Sequence, residues 1–302
     1  MQEIQTSPKK SRKPQARTMP LWNAILGVAA EYERMSVRQL FYQLVSRKAI
    51  DKTEAAYKRV CDIAVQMRLA GALDYRKIVD GHRSRRVGWQ FSGLAHALEA
   101  THDLYRRNYW IDQPVAVEIW CEKDALTGVI QPICEQYGVP YVATRGFPSV
   151  TLIYESAQQM IARGKETRVY YFGDHDASGR AISPNLEPDM RSHGAHAIVK
   201  RIALEPYQIR YFNLPTRPGK TTDSRHAKFA ERYGDASVEL DALPPNILEE
   251  LVRKSITDNI DQVTWRRTKE IEALERETLA SIATMPFMAG VTYRLNESPA
   301  EQ

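Results

Sequence analysis

Three carboxylates follow strand-like runs of this sequence. Glu122 follows VAVEIWC (115–121), and Asp174 and Asp176 follow RVYYFG (168–173). Active sites of parallel α/β sheets sit beyond the carboxyl ends of the strands. A parallel arrangement would therefore bring all three acids to one edge. Clustered carboxylates repel one another unless a cation lies between them. Oxygen-only ligands with room for water and phosphate suit Mg²⁺, which could stabilise charge on a phosphodiester undergoing in-line displacement. Gly179 suits a tight turn or a close backbone approach nearby. The Asp-x-Asp pattern has other readings: it also occurs in aspartyl phosphatases and glycosyltransferases, and Asp174 could simply cap the next helix. Glu118 lies inside its strand and reads as structural. Glu239 and Asp241, in SVELDALPP (237–245), could join the acids or only shape a turn before Pro244 and Pro245.

The elements that must position these residues can be read in order. Residues 1–18 carry Lys9, Lys10, Arg12, Lys13 and Arg17 against one acid, Glu3, among Ser, Pro and Gln, and read as a flexible basic arm. Residues 19–112 read as mostly helical. Leu21 to Tyr32 has helical spacing, Ser36 is an N-cap for VRQLFYQLVSR, and a helix from Thr53 to Ala70 stops at Gly71. Tyr75 to Asp80 reads as a short strand before a basic turn at His82 to Arg86, so this segment is expected to be a winged-helix (CAP-like) domain. In 113–245 strands alternate with helices: 115–121, 139–144, 168–173 and 195–204 are strand-like, with helices ending at Gly138 and running from Ser149 to about Arg163. That alternation implies an α/β domain with a mostly parallel sheet flanked by helices. Residues 246–302 form a helical extension, broken near Asp261, with Leu248, Leu251, Val252, Ile256 and Ile260 in one stripe.

Composition bounds the answer. The chain has 302 residues, 43% hydrophobic and 26% charged, which suits about two globular domains. Lys and Arg number 42 against 37 acids, a formal charge of +5, a mild pointer to a polyanionic partner. Cys61, Cys121 and Cys134 show neither a pairing pattern nor zinc spacing. There is no apolar run of membrane-spanning length and no signal core. These features lead us to expect a reduced, cytoplasmic protein. PTRPGKTTDSR (215–225) contains GKTT but has Leu214 where a P-loop would need its first glycine, so it reads as a basic or ordinary surface loop.

The pair VEIWCEKDAL and YYFGDHDASGR resembles the Toprim domain of topoisomerases, primases and some nucleases. TRGFPSVT (144–151) resembles the Gly-x-Pro segment of the A subunit of type IIB topoisomerases (topoisomerase VI) and of the related meiotic double-strand-break protein. SVRQLFYQLV (36–45) is similar to that family's nucleophile motif. The resemblance covers about residues 35–245, and the short chain looks most like a stand-alone bacterial or phage (Mini-A-like) branch. It implies that Glu122, Asp174 and Asp176 hold Mg²⁺ and that Tyr42 is the nucleophile, with Arg38 one helical turn earlier on the same face. A tyrosine hydroxyl titrates near ~10, and a guanidinium or Mg²⁺ would favour the phenolate. Leu40, Phe41, Leu44 and Val45 are apolar, so Tyr42 also has a plain reading as core.

Because the family's tyrosine meets the metal site of the other protomer, the resemblance implies a homodimer on double-stranded DNA. It leaves open whether a GHKL-type ATPase subunit joins. Arg47, Lys48, Lys58, Arg59, Arg83, Arg85 and Arg86 are the candidate DNA-binding residues. Two rivals to a DNA-cleaving transesterase stand beside it. One is a Toprim nuclease that uses water; the other is a homologue that binds DNA without cutting.

Overall fold

A computed structural model describes residues 18–79, 90–219 and 223–283. Helices α1 (Met19–Glu31), α2 (Val37–Ser46) and α3 (Glu54–Leu69) come first. The second begins where its sequence says it should. Ser36 Oγ accepts the Gln39 N–H at 3.1 Å, and Gln39 Oε1 accepts the Ser36 N–H at 2.9 Å. This reciprocal capping box satisfies two amides at the helix start. Thr53 caps α3 through Ala56, and Gly71 follows that helix at φ 71°. The three helices pack through Ile25, Val28, Leu40, Leu44, Val60, Ala64 and Met67, all fully buried.

The strand expected over Tyr75 to Asp80 is absent among the described residues. Tyr75–Lys77 forms a 3₁₀ turn, begun by Asp74, whose carboxylate accepts the Arg76 N–H at 2.8 Å. Only Ile78 makes a strand-like bridge, to Met35. An Asp-initiated turn satisfies its amides locally and competes with a ladder. The basic turn at 82–86 lies outside the described residues.

The α/β part alternates as expected: β1 (Ala116–Cys121), α5 (Thr127–Tyr137), β2 (Tyr141–Ala143), α6 (Val150–Arg163), β3 (Thr167–Phe172), α7 (Ala177–Ser192) and β4 (Ala197–Ala203). Four parallel strands lie in the order β2-β1-β3-β4. Strand β1 is buried at every position, as a central parallel strand covered on both faces must be. Trp120, Val169 and Tyr171 share a core cluster with Ile153, Ala157 and Met160 of α6 and with Ile182, Leu186 and Met190 of α7. Burying an apolar side chain of this size stabilises the fold by roughly 1.5–3 kcal/mol. Cys121 pairs in register with both Ala143 and Phe172, so β1 and β3 end level with each other.

Helices α8 (Pro206–Tyr211) and α9 (His226–Tyr233) follow, with a small antiparallel pair, β5 (Arg217–Pro218) and β6 (Ala236–Ser237). The expected C-terminal helical stretch is two helices, α10 (Pro245–Thr257) and α11 (Gln262–Ala283), interrupted near Asp261 as the sequence suggests. Between α3 and β1 lies α4 (Leu94–Leu104).

The chain divides into two compact units that group residues differently from a boundary near 112. One unit joins the described residues of Met1–Arg83 to Val115–Asn259. The other joins those of Ser84–Pro114 to Ile260–Gln302. In the second unit Glu272 accepts the Tyr109 hydroxyl at 2.8 Å and the Arg107 N–H at 2.8 Å, and Trp265 packs on Tyr109 and Trp110. No helix among the described residues is long and apolar enough to cross a membrane.

Candidate active site

The level ends of β1 and β3 put Glu122 beside the Asp174 turn. Glu122 Oε2 accepts the Asp174 N–H at 2.9 Å. Asp174 Oδ1 accepts the Leu240 N–H at 2.8 Å. Asp176 Oδ1 caps α7 by accepting the Gly179 N–H at 2.8 Å. The helix cap foreseen for Asp174 therefore belongs to Asp176. Gly179 is required for a steric reason. A Cβ there would meet the Asp174 carbonyl oxygen at 2.4 Å and Glu122 Oε2 at 2.9 Å.

Two further acids reach this edge through a long-range bridge. His175 and Val238 exchange both backbone hydrogen bonds at 2.9 Å, antiparallel. The bridge lays 238–241 along the Asp174 turn and brings in Glu239 and Asp241, both buried. Together with Arg38, Lys123, Ser178, Arg217 and Asp223, the residues Glu122, Asp174, Asp176 and Glu239 line a cleft of about 410 Å³.

Cations and anions interlock here. Lys123 Nζ lies 2.9 Å from Asp174 Oδ2, 3.6 Å from Glu239 Oε2 and 3.5 Å from Asp241 Oδ2. Arg38 Nη1 donates to Glu239 Oε2 at 2.9 Å, and Arg217 Nη1 donates to Glu239 Oε1 at 2.7 Å. Six carboxylates, counting Asp223 and Asp241, face three cationic side chains, leaving three negative charges unmatched when all are ionised.

The protonation equilibria follow from burial and neighbours. Burial, aided by the Asp174 charge, pushes Glu122 up to about 7. Burial raises Asp241 to about 6 against the pull of Lys123, and it also raises Asp174. Burial pushes Glu239 the same way, but Lys123, Arg38 and Arg217 outweigh it and hold that carboxyl below its ordinary range. Burial disfavours the Lys123 ammonium, yet its three carboxylate partners keep it protonated.

The donor set is chemically right for Mg²⁺, being all oxygen on a turn whose tight closure Gly179 permits. Both oxygens of Asp241, fully buried, have no hydrogen-bond partner. Among the described residues, no three His, Cys, Asp or Glu side chains already converge as metal ligands would. The cation paired with the Asp174 carboxylate is Lys123, while Arg201 donates to the Asp174 carbonyl.

Tyr42 occupies the inner face of α2. It is 3% exposed and is not among the residues that line the cleft. Lys52 Nζ stands 5.1 Å from its ring centroid, and Phe41 packs edge-on at 5.4 Å. Burial, with the Glu239 charge, pushes its hydroxyl well above the ordinary tyrosine value, while Arg217 and Arg38 pull it back. Arg38, one turn earlier, does line the cleft.

The basic residues separate into groups. Arg47 is held by Glu31 through two 2.6 Å hydrogen bonds. Lys48 is exposed at φ 56° beyond α2, and Lys58 and Arg59 are exposed on α3. Arg83, Arg85 and Arg86 lie outside the described residues. Glu118 is a satisfied structural acid, accepting from Trp120 Nε1 and Arg163. Sequence reasoning missed Lys123 and Arg217. The signal for Lys123 was its adjacency to Glu122. Arg217 lay in the basic loop read from 215–225, which Lys52 ties down by donating to the Pro215 and Thr216 carbonyls. Compared with models of known protein families and with curated proteins, the sequence matches none.

Proposed function

We propose that the chain is a Mg²⁺-dependent DNA-cleaving protein resembling the A subunit of type IIB topoisomerases, with a Toprim-like site and Tyr42 as nucleophile. The observation that carries this reading is Arg38. It sits on the helix of Tyr42 and at the same time pairs with Glu239 in the acidic cleft.

Glu122, Asp174 and Asp176 would hold Mg²⁺, which when bound neutralises charge on the phosphate. Arg217, Arg38 and Lys123 supply fixed positive charge that can orient a phosphodiester. The Tyr42 oxygen then forms a bond to the 5′-phosphate and gives up its proton to solvent. The bond from phosphorus to the 3′-oxygen breaks, and that oxygen takes a proton to leave as a 3′-hydroxyl. One phosphoester replaces another, so resealing needs no ATP for the chemistry. Because Tyr42 is buried at rest, engagement requires α2 to be uncovered, by DNA or by a second copy of the chain in a homodimer. Exposed Lys48, Lys58 and Arg59 supply phosphate contacts in this reading, with Arg83, Arg85 and Arg86 as further candidates. The remaining parts of the proposal are a winged-helix-like role for the N-terminal helices, a cytoplasmic location on DNA and an ATPase partner subunit.

A second reading has its own support. The burial of Tyr42 and its upward-shifted hydroxyl favour hydrolysis by water at the carboxylates, with Tyr42 structural. One experiment separates the two. The protein is incubated with supercoiled DNA and Mg²⁺, denatured, and assayed for covalent protein–DNA adducts. Adducts in wild type that vanish in Tyr42→Phe support transesterification. Free ends that persist in Tyr42→Phe but are lost in Asp174→Ala assign hydrolysis. Salt-sensitive binding without cutting leaves a DNA-binding protein.

A further inference from the structure

The Lys123 ammonium stands where a cation-binding pocket would hold its ion. It lies within 2.9–3.6 Å of carboxylates from Asp174, Glu239 and Asp241. These acids come from two stretches of chain joined by the His175–Val238 bridge and by the Leu240 N–H to Asp174 Oδ1 hydrogen bond. Asp241 is fully buried, and neither of its oxygens accepts a hydrogen bond. A buried carboxylate without hydrogen bonds is costly unless a cation is close, and Lys123, at 3.5 Å, is the cation paired with it here. Asp174 touches both groups of acids: its Oδ2 pairs with Lys123, its Oδ1 takes the Leu240 N–H, and its own N–H is held by Glu122 Oε2.

We propose that Asp174, Glu239 and Asp241 form a second cation subsite next to the Glu122–Asp174–Asp176 site, that Lys123 fills it as a tethered monovalent ion, and that a divalent cation is thereby excluded from it. The inference rests on the Mg²⁺ reading for the neighbouring site. Many phosphoryl-transfer centres use two metal ions roughly 3.5–4 Å apart, bridged by a shared carboxylate. Here the second position belongs to the protein. An ion tethered by one side chain has an effective local concentration of ~mM or more, so a free divalent ion competes poorly with it. The ammonium carries a single charge, which leaves the pocket acidic enough to retain one divalent ion at Glu122. Lys123 also lines the cleft, where it can contact a phosphate.

Binding of Mn²⁺ to the full chain, followed by the electron paramagnetic resonance of the free ion, needs neither DNA nor activity. Wild type is expected to take up about one ion per chain and Lys123→Ala about two. Lys123→Ala with Asp241→Asn should return to about one, and the ion lost should be the one that survives Glu122→Gln. Lys123→Met preserves the packing of the stem and should show the same gain. Equal uptake by wild type and both Lys123 variants overturns the proposal, as does uptake of about two ions by wild type. Failure of both variants to fold at any Mn²⁺ concentration also overturns it, because a pocket that accepts a divalent ion would be rescued by one. If wild type binds no ion, the Mg²⁺ reading of the neighbouring site fails. The subsite then still stands if Lys123→Ala gains an ion that Asp241→Asn removes.

Discussion

Arg38 Nη1 and Glu239 Oε2 meet at 2.9 Å across 201 positions of sequence. The pair ties α2, the helix of Tyr42, to the acidic cleft of the same compact unit. Glu239 also accepts from Arg217 and faces Lys123, with only 5% of its side chain exposed. Removing it strands three cations. Glu239→Ala should therefore cost about 1–3 kcal/mol, below the full penalty for a buried pair because Arg38 and Arg217 keep access to water. Urea unfolding checks this. A double-mutant cycle of Arg38→Ala with Glu239→Ala should give a coupling of about 0.5–1 kcal/mol, and strict additivity would show that the pair does not hold α2.

Gly179→Ala tests the carboxylate turn. The added methyl carbon would lie 2.4 Å from the Asp174 carbonyl oxygen and 2.9 Å from Glu122 Oε2. The Glu122 carboxylate could swing away only by giving up its place at the site, and the Asp174 carbonyl is backbone that cannot move aside. A loss of about 1–3 kcal/mol in urea unfolding is expected, together with weaker Mn²⁺ uptake. Wild-type stability with unchanged uptake would show that the turn is not closed in solution.

Ser36→Ala removes half of the capping box on α2. The expected cost is about 1 kcal/mol. Amide hydrogen exchange should rise in the first turn of α2, which carries Arg38. Ser36→Asp keeps a cap acceptor and should recover most of the loss.

The basic residues should divide by role. Lys58→Ala, at an exposed position on α3, should weaken DNA binding and lower the slope of log affinity against log salt by about one. Arg47 is committed to Glu31 by two hydrogen bonds. Arg47→Ala should cost up to about 1 kcal/mol of stability and leave the salt slope unchanged. A slope that falls for Arg47→Ala but not for Lys58→Ala would reverse this assignment.

What the amino-acid order determined by itself was local. Ser36, Thr53 and Ser149 start their helices, and Gly138 and Gly164 end theirs in the left-handed conformation. The runs ending at Cys121 and Phe172 become level parallel strands, so Glu122 and the Asp174–Asp176 turn meet at one edge as their positions imply. Periodicity and caps act within a few residues, and a level register between parallel neighbours carries that local information to the sheet edge. The strand expected at Tyr75 was lost to a competing local preference, the turn begun by Asp74. The composition of the cleft, by contrast, was decided by the tertiary structure. Glu239 and Asp241 enter because Val238 bridges to His175 and Leu240 donates to Asp174, and Arg38 and Arg217 enter by pairing with Glu239, Arg217 also approaching Asp176. Such contacts depend on burial and charge satisfaction summed over the whole core. Adjacency to Glu122 places Lys123 at the sheet edge, but only the folded chain decides that its ammonium pairs with the Asp174 carboxylate.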